Sequence, residues 1–165
     1  MVDAVLHCIE ACAPARVSLW TWTVADYEIQ TFSALAGDGR ICAGTLVIDQ
    51  RARAKNMPLI QAWQRRFGPD SVRWVVNHAK IALVEGRGLR LCLRGSLNLN
   101  HNPRFEQLDI TEGDGAFDLV REIEAELPVL PDNCGMEDAY KASKVGKAFD
   151  PEQLAMFSGV KRWAK

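Results

Sequence analysis

The sequence lacks the segments that would place the chain in a membrane or in an export pathway. No apolar run approaches the roughly 20 residues that a membrane-spanning helix needs. The start of the chain also lacks the basic region and the long apolar stretch of a signal peptide. These absences predict a cytoplasmic protein with no membrane partner. With 25% charged and 48% hydrophobic residues in a chain of 165, the composition is typical of one soluble globular domain.

Cysteine is scarce, and its spacing favours neither disulfides nor a metal site. An odd, scattered set of five residues is more typical of reduced thiols than of a disulfide framework. The five are Cys8, Cys12, Cys42, Cys92 and Cys134. Cys8 and Cys12 are four residues apart, with no second pair of cysteines to complete a zinc site. We therefore expect no metal.

Charge is distributed unevenly along the sequence although the net charge is only -1. Residues 40–104 carry twelve Lys or Arg against three acids, whereas residues 105–140 carry one against eleven. A segment this basic either presents a cationic surface to phosphates or supplies solvated arginines to ordinary strand and helix faces. The sequence alone leaves both interpretations open.

The first 67 residues predict an alternation of strands and helices. Residues 16–24 are rich in β-branched and aromatic side chains, which favours a strand. Asp26 is placed to cap a following helix. Residues 40–49 form a nearly continuous apolar run, typical of a strand covered on both faces. A second helix is predicted over residues 58–67.

The second part of the chain predicts a group of short strands and one more helix. The predicted strands are residues 71–76, 79–84, 89–93 and 105–111, with a hairpin turn at 85–88 and a polar loop at 95–104. The helix is predicted over residues 117–127, with Leu119, Val120 and Ile123 facing inward. Because the composition changes after Pro128, we expect a domain over residues 1–130. Residues 131–165 are then an extension, partly flexible or used as an interface arm.

The residues best suited to chemistry are concentrated between residues 78 and 106. On a strand, His78 and Lys80 would project to the same face and place an imidazole beside an ammonium group. An imidazole is nucleophilic near neutral pH, and an ammonium group neutralises phosphoryl oxygens. Ser96 and Asn98 add a hydroxyl and an amide, and Gly95 lets the backbone come close. This set of groups indicates a phosphate-binding site.

These residues resemble the HKD motif of the phospholipase D superfamily. The matching positions are His78-x-Lys80, a hairpin, Gly95-Ser96-x-Asn98 and a downstream Glu106. The resemblance in pattern extends over residues 14–127. It implies an α/β fold, a phospholipase D-like sandwich with a mixed central β-sheet flanked by helices. It also implies one HKD motif per chain.

The resemblance implies a two-step displacement that needs no metal or other cofactor. His78 would act as nucleophile or general acid and form a covalent phosphohistidine. Lys80, Ser96, Gly95 and Asn98 would hold the phosphate, and Glu106 would orient the imidazole. A chain with one motif resembles the short bacterial nucleases of the family, which place two motifs at the two-fold axis of a homodimer.

Two features depart from the family pattern. The acidic position that follows Lys80 is Glu85 instead of Asp, and the stretch from Glu85 to Gly95 is longer than usual by about three residues. The acid at this position is mainly structural in the family. The departures therefore concern the alignment of Glu85 and not that of His78 and Lys80.

The single motif, the small size and the basic middle segment favour nucleic acid as substrate, and we expect DNA rather than RNA. The sequence thus predicts a phosphodiesterase or endonuclease, with Asn100 and His101 in the neighbouring loop as candidate substrate contacts. A second interpretation stays open: a non-catalytic nucleic-acid-binding or assembly module that retains the phosphate pocket. The pI of about 6.3 and the acidic segment 105–140 favour this alternative.

Overall fold

The computed structural model describes residues 2–96, 98–99 and 107–144. The elements in chain order are α1 (Val2–Cys12), β1 (Ala15–Thr21), α2 (Asp26–Gly37), β2 (Ile41–Asp49), α3 (Arg53–Phe67), β3 (Val72–Val75), β4 (Ile81–Gly86), β5 (Leu89–Gly95), β6 (Leu108–Glu112), α4 (Asp114–Glu126) and α5 (Met136–Ala142). Short 3₁₀ turns precede α3 and β3. Within the described part of the chain, no helix is both long and apolar enough to cross a bilayer.

The strands form one six-stranded sheet in the order β3-β2-β1-β4-β5-β6. The strands β1, β2 and β3 are mutually parallel, whereas β4, β5 and β6 continue the sheet as an antiparallel meander. The strand β1 is therefore the junction between the two halves, with a parallel neighbour on one side and an antiparallel neighbour on the other. The predicted mixed central sheet with flanking helices is confirmed.

Helices α1, α2 and α3 cover one side of the sheet, which we call the first face. Its core is a large cluster of buried apolar residues from these helices and from alternate strand positions, including Ile9, Phe32, Leu46, Ile48 and Trp63. The strands contribute every second residue because side chains alternate between the two sides of a sheet.

Helix α1 was not predicted, although the spacing of its buried residues is helical. Val5, Ile9 and Cys12 are completely buried and recur at intervals of four and three, which places them on one side of a helix. His7 projects from the opposite side and is exposed. Residues 2–12 thus belong to the fold, and their buried side chains to its core.

Helix α4 covers the other side of the sheet, which we call the second face. Phe117 and Val120 are buried there against Trp20, Val47 and Leu83. The prediction that Leu119 faces inward is wrong, because this residue is 50% exposed. The inward side of α4 instead continues from Phe117 and Val120 to Glu124, at intervals of three and four residues.

Two helix starts differ from the sequence prediction. Helix α3 begins at Arg53 and not at Pro58, because the chain enters the helix directly from a 3₁₀ turn. The added turn buries Asn56, whose amide donates to the hydroxyl of Thr23 at 3.0 Å. Asp26 does not cap α2, because Ala25 is the capping residue and Asp26 already lies in the first turn.

Residues 131–144 pack along the outer edge of β3. The backbone N–H of Val76 donates to the hydroxyl of Ser143 at 2.7 Å, and the indole N–H of Trp74 donates to Asp132 at 3.2 Å. Cys134 is buried in the core of the first face. This part of the predicted extension therefore covers a sheet edge that would otherwise be open. Residues 145–165, the rest of that extension, lie outside the described residues.

Candidate active site

His78 and Lys80 lie at the carboxyl ends of the parallel strands. The strands β1, β2 and β3 end at Thr21, Asp49 and Val75, and the connection from β3 to β4 carries both residues. The site is also next to β1, where the parallel half of the sheet meets the antiparallel half. Ligands of open α/β sheets bind at carboxyl ends where the strand order changes direction. The topology therefore places the two residues at a favourable position for a binding site.

The two side chains are in direct contact. The ammonium nitrogen Nζ of Lys80 is 3.1 Å from Nδ1 of His78 and donates to the carbonyl oxygen of His78 at 2.6 Å. Lys80 is only 6% exposed, whereas His78 is exposed. The buried ammonium group thus contacts an imidazole that is open to solvent.

The prediction that both residues stand on a strand is wrong. The strand β4 begins only at Ile81, so His78 and Lys80 belong to the connection. The side chain of Asn77 shapes this connection: its Oδ1 accepts from the N–H of Ala79 at 2.8 Å, and its Nδ2 donates to the carbonyl oxygens of Thr21 and Ala79 at 3.3 Å. An asparagine that bonds the backbone two residues on favours a turn over a strand.

Asp49, the last residue of β2, holds the same connection in place through a hydrogen bond. Its role was not predicted from the sequence. Its carboxylate is completely buried and accepts from the N–H of Asn77 at 2.8 Å. The guanidinium of Arg51 binds both carboxylate oxygens at 2.8 Å. Burial raises the pKa of Asp49, but the hydrogen bonds from Arg51 and Asn77 outweigh it, so the pKa lies below the ordinary value. An acid at the end of a buried parallel strand was the signal that could have identified this residue.

Gly95 lies opposite Lys80 and must be a glycine. Its N–H donates to the carbonyl oxygen of Lys80 at 3.1 Å, which extends the pairing of β4 with β5 by one step. A Cβ at this position would lie 2.3 Å from the carbonyl oxygen of Gln107. The glycine therefore allows the close approach of the backbone beside β6, and its contact with phosphate stays a prediction.

Ser96 and Asn98 lie at the same end of the sheet. The hydroxyl of Ser96 accepts from the N–H of Gln107 at 3.2 Å. The amide oxygen of Asn98 accepts from the N–H of Trp22 at 3.3 Å, just beyond β1. The structure brings Gly95 and Asn98 close to the connection that carries His78, through Lys80 and through the end of β1. Three further predicted site residues, Glu106, Asn100 and His101, lie outside the described residues.

A cavity of about 270 Å³ adjoins His78 on the second face. Most of its wall is apolar and comes from Trp20, Val75, Ile123 and Leu127. Asn77, His78 and Ser143 are its polar lining residues. The cavity is thus suited to an apolar or aromatic group beside the imidazole.

Glu85, which occupies the acidic position of the motif, is far from His78. It lies near the opposite end of β4, about 16 Å of extended chain beyond Lys80. There its carboxylate pairs with Arg121 at 3.1 Å and with Arg16 at 3.7 Å. The contacts of Glu85 tie β4 to α4 and β1 and are structural.

The sequence matches no protein-family model and no curated protein. Among solved structures, the fold is similar to the crystal structure of a polyphosphate kinase from Porphyromonas gingivalis, with a TM-score of 0.47 and 20% sequence identity. The match covers 76% of this chain but only 23% of the kinase chain. Similarity at this level bears on neither the activity nor the substrate of the chain.

Proposed function

We propose that the chain is a phosphodiesterase of the phospholipase D type that cleaves nucleic acid, DNA in preference to RNA, without a metal. The observation that carries the proposal is the contact between the buried ammonium group of Lys80 and the exposed imidazole of His78. The mixed sheet with helices on both faces supports it, because it agrees with the fold that the motif implies.

The geometry defines how the pair would respond to a phosphate. An ammonium group that donates to Nδ1 leaves the neutral ring with its proton on Nε2. In this tautomer the ring donates a hydrogen bond through Nε2. A phosphodiester offers Lys80 a charged acceptor in place of the neutral ring nitrogen, and charge-assisted hydrogen bonds are the stronger ones. Substrate binding would thereby release Nδ1 and prepare the ring for attack.

The chemistry proceeds in two displacements. In the first, a ring nitrogen of His78 forms a bond to phosphorus while the bond from phosphorus to the leaving oxygen breaks. That oxygen takes a proton from the imidazolium of His78 in a second copy of the chain, which becomes neutral. In the second, water attacks phosphorus, its proton returns to His78 of the second copy, and the bond from nitrogen to phosphorus breaks. The result is a phosphomonoester, an alcohol and two regenerated imidazoles.

A homodimer supplies the second imidazole. Each chain carries one His78, and the two-step reaction needs a nucleophile and a separate acid. A two-fold axis brings identical residues of two chains together, because each contact is repeated in the opposite sense. The proposed reaction therefore requires the homodimer.

Cleavage of labelled DNA and RNA, single-stranded and double-stranded, in excess EDTA tests the proposal. We expect the wild type to cleave DNA, and His78→Ala and Lys80→Ala to lose at least about 10³-fold in kcat/KM, since general acid–base and covalent steps contribute factors of this size. His7→Ala is the matched control, because His7 is exposed on α1.

Absence of cleavage by a wild type that still binds DNA would overturn the catalytic proposal in favour of the non-catalytic binding module. Full activity of the His78→Ala variant would overturn the assignment of the residue. A fully active monomer in light scattering would overturn the shared site.

A further inference from the structure

A second and larger depression lies at the edge of β2 that β3 leaves uncovered, away from His78. It has a volume of about 510 Å³ and lies between the beginning of β2, the turn before β3, the end of α3 and α4. Four arginines line it, Arg16, Arg66, Arg73 and Arg121, together with the carboxylates of Asp70 and Glu124. We call this depression the arginine groove.

The strand register leaves the groove open. The strand β3 begins at Val72, opposite Leu46, so residues 41–45 of β2 have no described strand neighbour on that side. Gly44 lacks a side chain here, and a Cβ would lie 2.9 Å from the rings of Phe67 and Trp63. The wall of the groove at β2 is therefore fixed by close packing of the strand against α3.

Two of the four arginines are compensated by carboxylates, and two are not. Arg121 binds Glu85 and Glu124 at 3.1 and 2.9 Å, and Arg16 is 3.7 Å from Glu85. In the described part of the chain, Arg66 and Arg73 form no ion pair. One amino group of Arg73 donates to the carbonyl oxygens of Asp70 and Val72, and its buried Nε has no hydrogen-bond partner. Uncompensated guanidinium groups in a groove favour an anionic ligand with oxygens in the geometry of phosphate.

The groove adjoins the cavity beside His78. Arg73 and Val75 stand two residues apart on β3 and so project to the same face, and Val75 lines the cavity. Trp20 belongs to the wall of the cavity, and its indole N–H donates to Glu124 in the groove at 3.1 Å. From Arg73 to His78 the chain covers about 16 Å when extended, which corresponds to about five nucleotides of a stacked strand.

We propose that the arginine groove binds the phosphates of a nucleic-acid strand that flank the phosphodiester bound at His78. The inference rests on the proposed function and adds a substrate class: a strand long enough to reach both sites is the substrate, and a dinucleotide is not. Arg66 and Arg73 provide the main contacts, since no carboxylate of the described chain pairs with them.

Binding of a fluorescent 12-nucleotide DNA strand, measured against salt concentration, tests the proposal. The double variant Arg66→Gln/Arg73→Gln should bind about 10-fold more weakly near 0.1 M salt. The slope of log K against log salt should fall by about 1.4, since each lost contact to a single strand removes about 0.7. Arg65→Gln is the matched control: Arg65 is exposed on α3 outside the groove, and its loss should change affinity less than about twofold. Equal losses in the two variants, or none in either, would overturn the proposal.

Cys42 provides a second readout, because it is exposed and lines the groove. The DNA strand should slow alkylation of Cys42 by iodoacetamide about fivefold or more in the wild type, but not in the double variant. Unchanged alkylation at saturating DNA would contradict the assignment. Inorganic polyphosphate of equal charge is the competitor, and binding tighter than that of DNA would overturn nucleic acid as the ligand.

A small diester separates this inference from the proposed function. Bis(p-nitrophenyl) phosphate carries one phosphate and reaches only the site at His78, so the double variant should hydrolyse it at the wild-type rate while its KM for the 12-nucleotide strand rises. If the wild type hydrolyses nothing but the salt slope still falls in the double variant, the groove stands and the proposed function fails. Equal impairment on both substrates would overturn the groove.

Discussion

The two faces of the sheet are built from different kinds of side chain. The core of the first face consists of apolar side chains such as Phe32, Ile60 and Trp63. The second face buries Glu124 under α4, where its carboxylate binds Ser18, Trp20 and Arg121. The cavity beside His78 lies on the second face, which also contributes Arg16, Arg73 and Arg121 to the arginine groove, whereas Arg66 comes from the end of α3. Buried charge and open space thus occur together on the side that we assign to function, whereas the first face stabilises the fold.

The largest expected effect on stability is on the first face. Trp63 is completely buried and contacts both Phe32 and Phe67. Trp63→Ala should lower the free energy of unfolding by about 4 kcal/mol, because it removes a large apolar side chain and leaves a cavity. Urea unfolding measures this loss. Tyr27→Ala, at a side chain that is 66% exposed, is the control and should cost less than about 0.5 kcal/mol.

A smaller loss is expected for the buried carboxylate of the second face. Glu124→Gln should lower the free energy of unfolding by about 2 kcal/mol, because Arg121 loses a charged partner in a buried setting. The control is Glu122→Gln on the exposed side of the same helix. If the two variants unfold at the same urea concentration, the polar interior of the second face contributes nothing to stability.

Asp49→Asn should cost about 1.5 kcal/mol at neutral pH, because Arg51 loses its charged acceptor and Asn77 a strong one. The pKa of Asp49 lies below the ordinary 3.8, so the carboxylate stabilises the fold fully above that value. This stabilisation is lost as the pH falls through the lowered pKa.

The difference in unfolding free energy between wild type and Asp49→Asn should accordingly be constant from pH 7 to 5 and shrink below about pH 4. Chemical unfolding at several pH values measures it, with Asp38→Asn, an exposed aspartate, as control. A difference that grows on acidification would mean that the pKa is raised instead.

The smallest effect is expected for Arg16, at the exposed rim of the arginine groove. Its guanidinium is 3.7 Å from Glu85 and its side chain is 59% exposed. Arg16→Gln should therefore change the free energy of unfolding by less than about 0.5 kcal/mol. A loss above 1 kcal/mol in thermal or urea unfolding would show that charge pairs at this rim stabilise the second face.

Elements with strong local patterns could be predicted from the sequence, and those determined by tertiary contacts could not. The apolar run of β2 and the turn at the β4–β5 hairpin correspond to the observed structure to within two residues. Leu119 was misplaced because four large apolar or aromatic residues occur in α4, and only the sheet decides which of them are covered. Pro58 suggested a helix start because proline favours the first turn, but the 3₁₀ turn before Arg53 supplies an earlier one.

The candidate site was predictable in its residue types but not in its geometry. His78 and Lys80 were identified from their spacing, yet their contact arises from a turn shaped by Asn77 and not from a strand. The contact of Asp49 could not be identified from the sequence, because its hydrogen bond to Asn77 joins residues 28 positions apart. The arginine groove combines Arg16 and Arg121 with two arginines of the basic segment, which charge counts along the chain cannot reveal.

The central claim is that His78 is the nucleophile of a phosphoryl transfer. Rapid acid-free quenching of a reaction with DNA labelled at the scissile phosphate, followed by peptide mapping, tests it most directly. We expect an acid-labile, alkali-stable label on the peptide that contains His78, absent in His78→Ala and present in His7→Ala. Turnover without a covalent label on any histidine, or a label on a residue other than His78, would contradict it.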